Sequence, residues 1–195
     1  MNIRDKIVTD YKELAKKVEA HKILGHKVVC TIGSWDMLHI GHVRYLNTAK
    51  DYGDVLIVGV DSDEAIKFYK GPNRPIIPEE ERMEMLCYQE CIDYVVPIHD
   101  VDIRGNWQYG MIKQVPMDVF ISVSGDSYTP EQEEMINKYC GKLEVIPRQA
   151  EQTSSTDIIQ NVLKTHLAKN IRKLRKPKRV PQQDLFGENG KENEA

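Results

Sequence analysis

The sequence predicts a doubly wound α/β fold, a mainly parallel five-stranded sheet with helices on both faces. Three observations carry this. Short, continuous apolar runs recur along the chain, as strands covered on both faces require. Between them lie segments with helical periodicity, so strands and helices alternate. Polar residues follow the ends of the runs, where open α/β sheets bind ligands. His39, Asp61, Asp126 and Arg148 each follow a strand and should share one sheet edge.

The elements follow in order. Residues 5–21 place Ile7, Tyr11, Leu14, Ala15 and Val18 on one stripe among lysines and glutamates, which predicts a helix. Gly25 ends the connection, and residues 27–32 form the first strand. Gly33 breaks it. Gly41 opens a helix with Val43, Leu46 and Ala49 at helical spacing, running to about Tyr52 and closed by Gly53. Residues 55–60 are the second strand. Asp61-Ser62-Asp63 caps a short helix containing Ala65, Ile66 and Phe68. The loop 71–75 leads to Pro78, which starts a helix with Glu79, Glu80 and Glu81 at its positive end. Its apolar face would be Met83, Leu86, Cys87 and Cys91. Residues 94–98 form the third strand, 99–106 a polar loop and 107–115 a helix. Residues 119–123 form the fourth strand, ending at Ser124-Gly125-Asp126. Residues 130–139 are a glutamate-rich helix and 143–146 the fifth strand. A last helix carries Ile158, Ile159, Val162 and Leu163. No internal repeat is present.

Composition narrows the setting. The 195 residues are 41% hydrophobic and 29% charged, a globular balance, and the net charge of −3 gives no reason to expect bulk nucleic-acid binding. We divide the chain into an N-terminal helical extension (1–26), a central domain (27–169) and a tail (170–195). The tail is basic, then acidic, and expected to be partly disordered. Cys30, Cys87, Cys91 and Cys140 form no CxxC pair and read as reduced thiols in a cytoplasmic protein. Residues 1–10 lack the apolar core of a signal peptide, and no run approaches the ~20 apolar residues of a membrane span.

The chemistry concentrates in residues 31–42. A buried strand passes a glycine turn and ends with His39 and His42 at the mouth of a helix, three residues apart and on one side. A helix start offers unpaired N–H groups and partial positive charge, so two imidazoles added there make a phosphate site. A second such start lies at Thr153, Ser154, Ser155 and Thr156, with Arg148 before it. Blander readings stand beside these. Ser154 and Thr156 serve equally as N-caps, Lys67 and Lys70 as surface lysines, Arg82 as an i,i+4-type partner of acids such as Glu79, and Trp35 and Trp107 as packing.

The stretch Gly33-Ser34-Trp35-Asp36-Met37-Leu38-His39-Ile40-Gly41-His42 resembles the Gly-x-Phe-Asp-x-x-His-x-Gly-His signature of the cytidylyltransferase-like nucleotidyltransferases. Arg148 with Thr153-Ser154-Ser155-Thr156 resembles their late Arg…Ile-Ser-(Ser/Thr)-Thr signature. The segment from Arg74 to Met83 is similar to that of heptose-phosphate adenylyltransferases. Lys67 and Lys70-Gly71 look like the lysines that follow strand two in glycerol-, ethanolamine- and heptose-phosphate members. The likeness spans residues 20–168, with three motifs in order. Trp35 stands where phenylalanine is usual, Thr153 where isoleucine is usual, and Ser124-Gly125-Asp126 where the heptose enzymes carry Gly-Gly-Asp.

The resemblance implies a Rossmann-like fold and nucleotidyl transfer from an NTP, ATP first, to a sugar phosphate or similar acceptor, with release of pyrophosphate. Its alternatives are CTP with a small alcohol or amino-alcohol phosphate, and a non-catalytic nucleotide-binding protein. It implies catalytic roles for His39, His42, Lys70 and Arg148. Nucleotide contacts would come from Gly33, Ser34, Trp35, Asp36, Gly41, Arg82, Gly125, Asp126 and Thr153 to Thr156. Acceptor contacts would come from Asp61, Lys67 and Lys70. Magnesium would be held mainly through the NTP phosphates, with no metal site built from protein alone. The expected partners are the NTP, a phosphorylated small molecule and a second copy of the chain, with no nucleic acid and no membrane.

Overall fold

The computed structural model describes residues 2–124 and 128–175, with side chains through 171. Five strands form one sheet: β1 (Val28–Gly33), β2 (Val55–Asp61), β3 (Tyr94–Ile98), β4 (Val119–Val123) and β5 (Lys142–Ile146). Their order is β3-β2-β1-β4-β5, and every neighbouring pair is parallel. The helices are α1 (Tyr11–Ile23), α2 (Ile40–Lys50), α3 (Asp63–Lys70), α4 (Glu79–Cys87), α5 (Gly110–Gln114), α6 (Pro130–Tyr139) and α7 (Ser155–Arg175).

Burial on two faces explains the apolar runs. Val28, Cys30, Val55 and Ile57 pack against Leu14 and Val18 of α1, Met111 and Ile112 of α5, and Ile136 of α6. Their neighbours Val29, Leu56, Val58 and Val60 face Leu46 and Ala49 of α2 and Leu86 and Cys87 of α4. Successive strand residues point to opposite faces, so a strand covered twice is apolar at nearly every position, with Thr31 and Ser122 the small buried polar residues in β1 and β4. β5 lies at an edge, and its Lys142 and Glu144 pair with each other. The other edge, β3, is covered by the N-terminal segment: the Val8 amide donates to the Val95 carbonyl at 2.9 Å, and Ile7 bridges to Val95.

That cover changes the first helix. Residues 5–21 were expected to be helical, yet α1 starts at Tyr11, after a 3-10 turn at Ile3–Lys6. The β-branched Ile7-Val8-Thr9 segment runs extended along β3 instead, and Asp10 caps α1 by accepting from the Lys12 amide. Nor does the segment 1–26 stand apart. Leu14 and Val18 are fully buried in the sheet's core, and the compact unit runs from residue 1 to Ser155. A second unit begins at Thr156, earlier than the boundary expected at 169/170. Of the expected tail, residues 170–175 belong to α7 and the rest lies outside the described residues.

Smaller differences have local causes. Pro78 is the N-cap of α4 rather than its first residue, and Cys91 lies beyond its end; Arg82 is fully buried on the same helix as Leu86 and Cys87. Gly53 follows the C-cap Asp51, and its role is close approach: a Cβ there would stand 2.6 Å from the Lys27 carbonyl oxygen. α5 is shorter than residues 107–115. Trp107 packs on the Tyr109 ring at 4.6 Å and beside Phe120, as the packing reading had it.

The winding reverses between β1 and β4, which places a crevice at their carboxyl ends. If α1 is part of this core, Leu14→Ala lowers the unfolding free energy by about 2–5 kcal/mol in urea titrations. An appended helix would leave it within about 0.5 kcal/mol.

Candidate active site

The turn from Gly33 to His42 leaves β1 at this crevice. Trp35 and Met37 both adopt left-handed backbone, with φ of 51° and 53°, an uncommon conformation that persists only where surroundings hold it. Trp35 is buried, and its Nε1–H donates to the Gly59 carbonyl at 2.8 Å, pinning the turn onto β2. A Cβ on Gly33 would meet the Trp35 ring at 3.2 Å.

His39 and His42 cap α2 reciprocally. Nδ1 of His39 accepts from the Gly41 amide at 3.1 Å, and Nδ1 of His42 accepts from the His39 amide at 3.4 Å. The rings stack at 3.9 Å. Because each Nδ1 accepts, each proton sits on Nε2, and that N–H is the donor left over on each ring. Gly41 cannot carry a side chain: its Cβ would lie 2.9 Å from the His39 ring and 3.0 Å from Ala150. The late loop therefore packs onto the first turn of α2.

Electrostatics keep both imidazoles neutral. Burial, then the charge His39 takes on in acid and the Lys70 ammonium, pushes the His42 pKa down to about 3. Burial and the Arg148 guanidinium lower that of His39. Lys70 and Arg148 are thus both within electrostatic reach of the pair. The Lys70 ammonium donates to the Ser34 hydroxyl at 2.6 Å and lies 5.5 Å from the Tyr69 ring centre. Asp61 ends β2 and accepts from the Tyr69 hydroxyl at 2.6 Å. Lys67 is exposed on α3, and Arg148 is exposed after β5.

Two expected nucleotide contacts are buried and paired inside the protein. Asp36 has no exposure. Its carboxylate accepts from Arg74 Nε at 2.7 Å and from the amides of Ile76 and Ile77 at 3.0 Å, while its carbonyl accepts from the Ser155 hydroxyl at 2.7 Å. Burial raises its pKa, but the Ile76 and Ile77 amides and the Arg74 guanidinium outweigh that and hold it below the usual range. Arg82 is also fully buried. It donates to the carbonyls of Ile77 (3.0 Å), Ser34 (2.5 Å) and Asp61 (2.8 Å), and to the Asp63 carboxylate at 2.7 Å. With these donors committed inside the protein, Arg82 fixes the turn, and the i,i+4-type pairing with Glu79 is not formed. Glu79 instead meets His99 at 2.5 Å.

The sequence reading missed Arg74 and Asp63 as the partners of these two buried charges. The available signal was a lone arginine in an apolar helix face, since a buried charge must be paired. Thr153 and Ser154 are half-buried in the loop before α7, and Ser155 ties that loop to the turn. Thr156 opens the second unit, and Gly125 and Asp126 lie outside the described residues. Among the described residues, no three His, Cys, Asp or Glu side chains gather as a metal cluster.

Comparisons with known proteins converge on this region. The family model Cytidylyltransferase-like matches residues 30–161. The chain is 39% identical over 157 residues to the Bifunctional protein HldE of Geobacter metallireducens, covering 78% of this chain and 30% of that protein. It is 33% identical over 171 residues to the HldE of Trichlorobacter lovleyi, covering 83% of this chain and 32% of that one. It spans about a third of the length of these curated relatives. Among solved structures, a lipopolysaccharide core biosynthesis protein from Thermoplasma volcanium aligns with a TM-score of 0.56 at 26% identity, covering 65% of this chain and all of that one.

Two outcomes check this geometry. Arg82→Met strands the Asp63 carboxylate and several carbonyls and should destabilise the protein by about 3–5 kcal/mol in urea unfolding. A surface nucleotide contact would cost almost nothing. His42, neutral when folded, takes up a proton on unfolding between its ordinary pKa of about 6.5 and its folded value of about 3. Stability should therefore be untouched by His42 above pH 6.5 and fall as pH drops below it. His42→Gln should flatten that decline when urea midpoints are compared at successive pH values.

Proposed function

We propose that this chain, which belongs to the cytidylyltransferase-like family, transfers a nucleotidyl group from an NTP to a phosphate-bearing acceptor and releases pyrophosphate. The observation that carries this reading is the His39–His42 pair. Two neutral imidazoles, stacked at 3.9 Å and anchored at a helix start, keep an Nε2–H each for phosphate oxygens.

In the reaction an acceptor phosphate oxygen attacks the α-phosphorus. A phosphorus–oxygen bond forms, the bond to the bridging oxygen breaks, and its electron pair leaves with pyrophosphate. The nucleophile is already ionised, so no base is required. The protein brings two anions together and neutralises charge that grows on the α-phosphate and leaving group. His42, with its pKa held near 3, is a poor proton shuttle at neutral pH; its work is hydrogen bonding. Lys70 and Arg148 add positive charge beside the pair, and Arg148 offers a two-pronged donor. Magnesium would arrive on the triphosphate and neutralise part of its charge; Asp36, buried against Arg74, is not available to hold it.

For the finer assignment we place ATP and a sugar phosphate first. The stretch from Arg74 to Met83 supports it, and so does the likeness to HldE and to a lipopolysaccharide core biosynthesis protein. CTP with a small alcohol phosphate is the second choice. The setting we propose is the cytoplasm, with the enzyme as a homodimer.

Pyrophosphate release with each NTP across a panel of sugar and alcohol phosphates tests the activity. Thermal stabilisation by ATP against CTP tests the base, because bound nucleotide raises stability with affinity. His39→Ala should lower kcat about 10²–10³-fold while nucleotide Kd stays within about three-fold. Equal losses in both would contradict the role given to His39. Silence across the whole panel, with nucleotide still bound, would make the chain a nucleotide sensor instead.

A further inference from the structure

An indole stands at position 35, where the nucleotidyltransferase signature carries phenylalanine, and its extra atoms have defined partners. Trp35 is 4% exposed. Its Nε1–H donates to the Gly59 carbonyl at 2.8 Å, a bond phenylalanine has no atom to make. Gly33 lies against the ring: an added Cβ would stand 3.2 Å from Trp35 Cε2 and Cζ2. Tyr45 stands on another side, with ring centres 6.0 Å apart. The Tyr45 hydroxyl is itself held, by Thr31 Oγ1 at 2.7 Å and the Ile121 carbonyl at 3.0 Å. Residues of β1, β2 and α2 thus fix the indole, and β4 supports it through Tyr45.

What this fixed ring meets is His42. The two ring centres are 5.6 Å apart at 70°, an edge-to-face pair. His39 stacks on the same imidazole at 3.9 Å and 27°. The hydrogen bond that orients His42, from the His39 amide to its Nδ1, is long at 3.4 Å. A bond of that length constrains a ring only weakly, so the aromatic contacts supply much of the constraint. Burial is also the first cause of the lowered His42 pKa, and the indole is part of what buries it. The titratable groups that act on His42 are His39, Lys70 and Asp36.

We propose that the Trp35 side chain is a positioning group for His42. It holds the imidazole with Nδ1 on the His39 amide and Nε2–H free for a phosphate oxygen, and it keeps water from part of the ring. The catalytic consequence rests on the nucleotidyl transfer proposed above; the effect on His42 itself does not. Trp35→Phe removes both the anchor on Gly59 and part of the volume that packs His42, while His39, Lys70 and Asp36 stay in place. With less burial, the His42 pKa moves up toward its ordinary value.

The test follows the His42 ring resonances by NMR from about pH 8 to about pH 5 in the parent, in Trp35→Phe and in Leu14→Ala, a core change away from the site. The His42 signal should stay flat in the parent and in Leu14→Ala, and should move toward the protonated position in Trp35→Phe. In pyrophosphate release, Trp35→Phe should lower kcat about ten-fold or more with the NTP KM within about two-fold, and Leu14→Ala should leave both within about two-fold. A flat His42 signal in folded Trp35→Phe overturns the proposal. So does an equal kcat loss in Leu14→Ala, which assigns the effect to general destabilisation. If Trp35→Phe does not fold, deuterium exchange in the parent decides: the Trp35 Nε1–H should be strongly protected, and exchange as fast as in free indole overturns the anchor. If the parent turns over no substrate in the panel, the proposed reaction fails, and the His42 titration still decides this inference.

Discussion

A carboxylate with no exposure to solvent and a guanidinium with none hold the turn that the rest of the site depends on. Asp36 ties residues 33–42 to the Arg74–Ile77 linker, and through its carbonyl to Ser155. Arg82 ties the same turn, through Ser34, to Ile77, to the end of β2 and to the start of α3. Buried charge is costly unless paired and hydrogen-bonded, so these groups tolerate few arrangements of the backbone around them. Two left-handed residues, Trp35 and Met37, flank Asp36, and the same bonds hold them there. The turn is therefore over-determined by its surroundings before any ligand arrives.

What this fixed turn presents is a pair of neutral donors. Imidazoles elsewhere are acid–base groups because their pKa lies near 7. Here burial and neighbouring positive charge take His42 far below that. A site for two anions gains from donors whose geometry is set in advance and from cations held close by. Lys70 and Arg148 sit at opposite ends of the sequence motifs, one after β2 and one after β5, and each is felt electrostatically by one histidine. The reversal of winding between β1 and β4 lets segments so far apart in sequence meet at one crevice.

Much of this was legible beforehand. Strands covered on both faces announce themselves as apolar runs, and the His39-Ile40-Gly41-His42 motif shows its helix start through local spacing. Ser62 and Thr129 cap their helices within three residues, so those boundaries need no distant contact. The misjudged places share one property. Ile7 and Val8 left the helical register because β3 offered them a partner more than eighty residues away. Arg82 was read against its helical neighbour Glu79, while its partners come from β2, α3 and the turn.

The sequence by itself determined the alternation of strands and helices, the phosphate-friendly helix start and the resemblance that names the chemistry, because each is written in residues close to one another. Only the tertiary structure decided that Asp36 and Arg82 are buried and hydrogen-bonded to distant segments, and that the two histidines are neutral. Burial and partner choice depend on which distant segments share a volume. No local pattern encodes that volume.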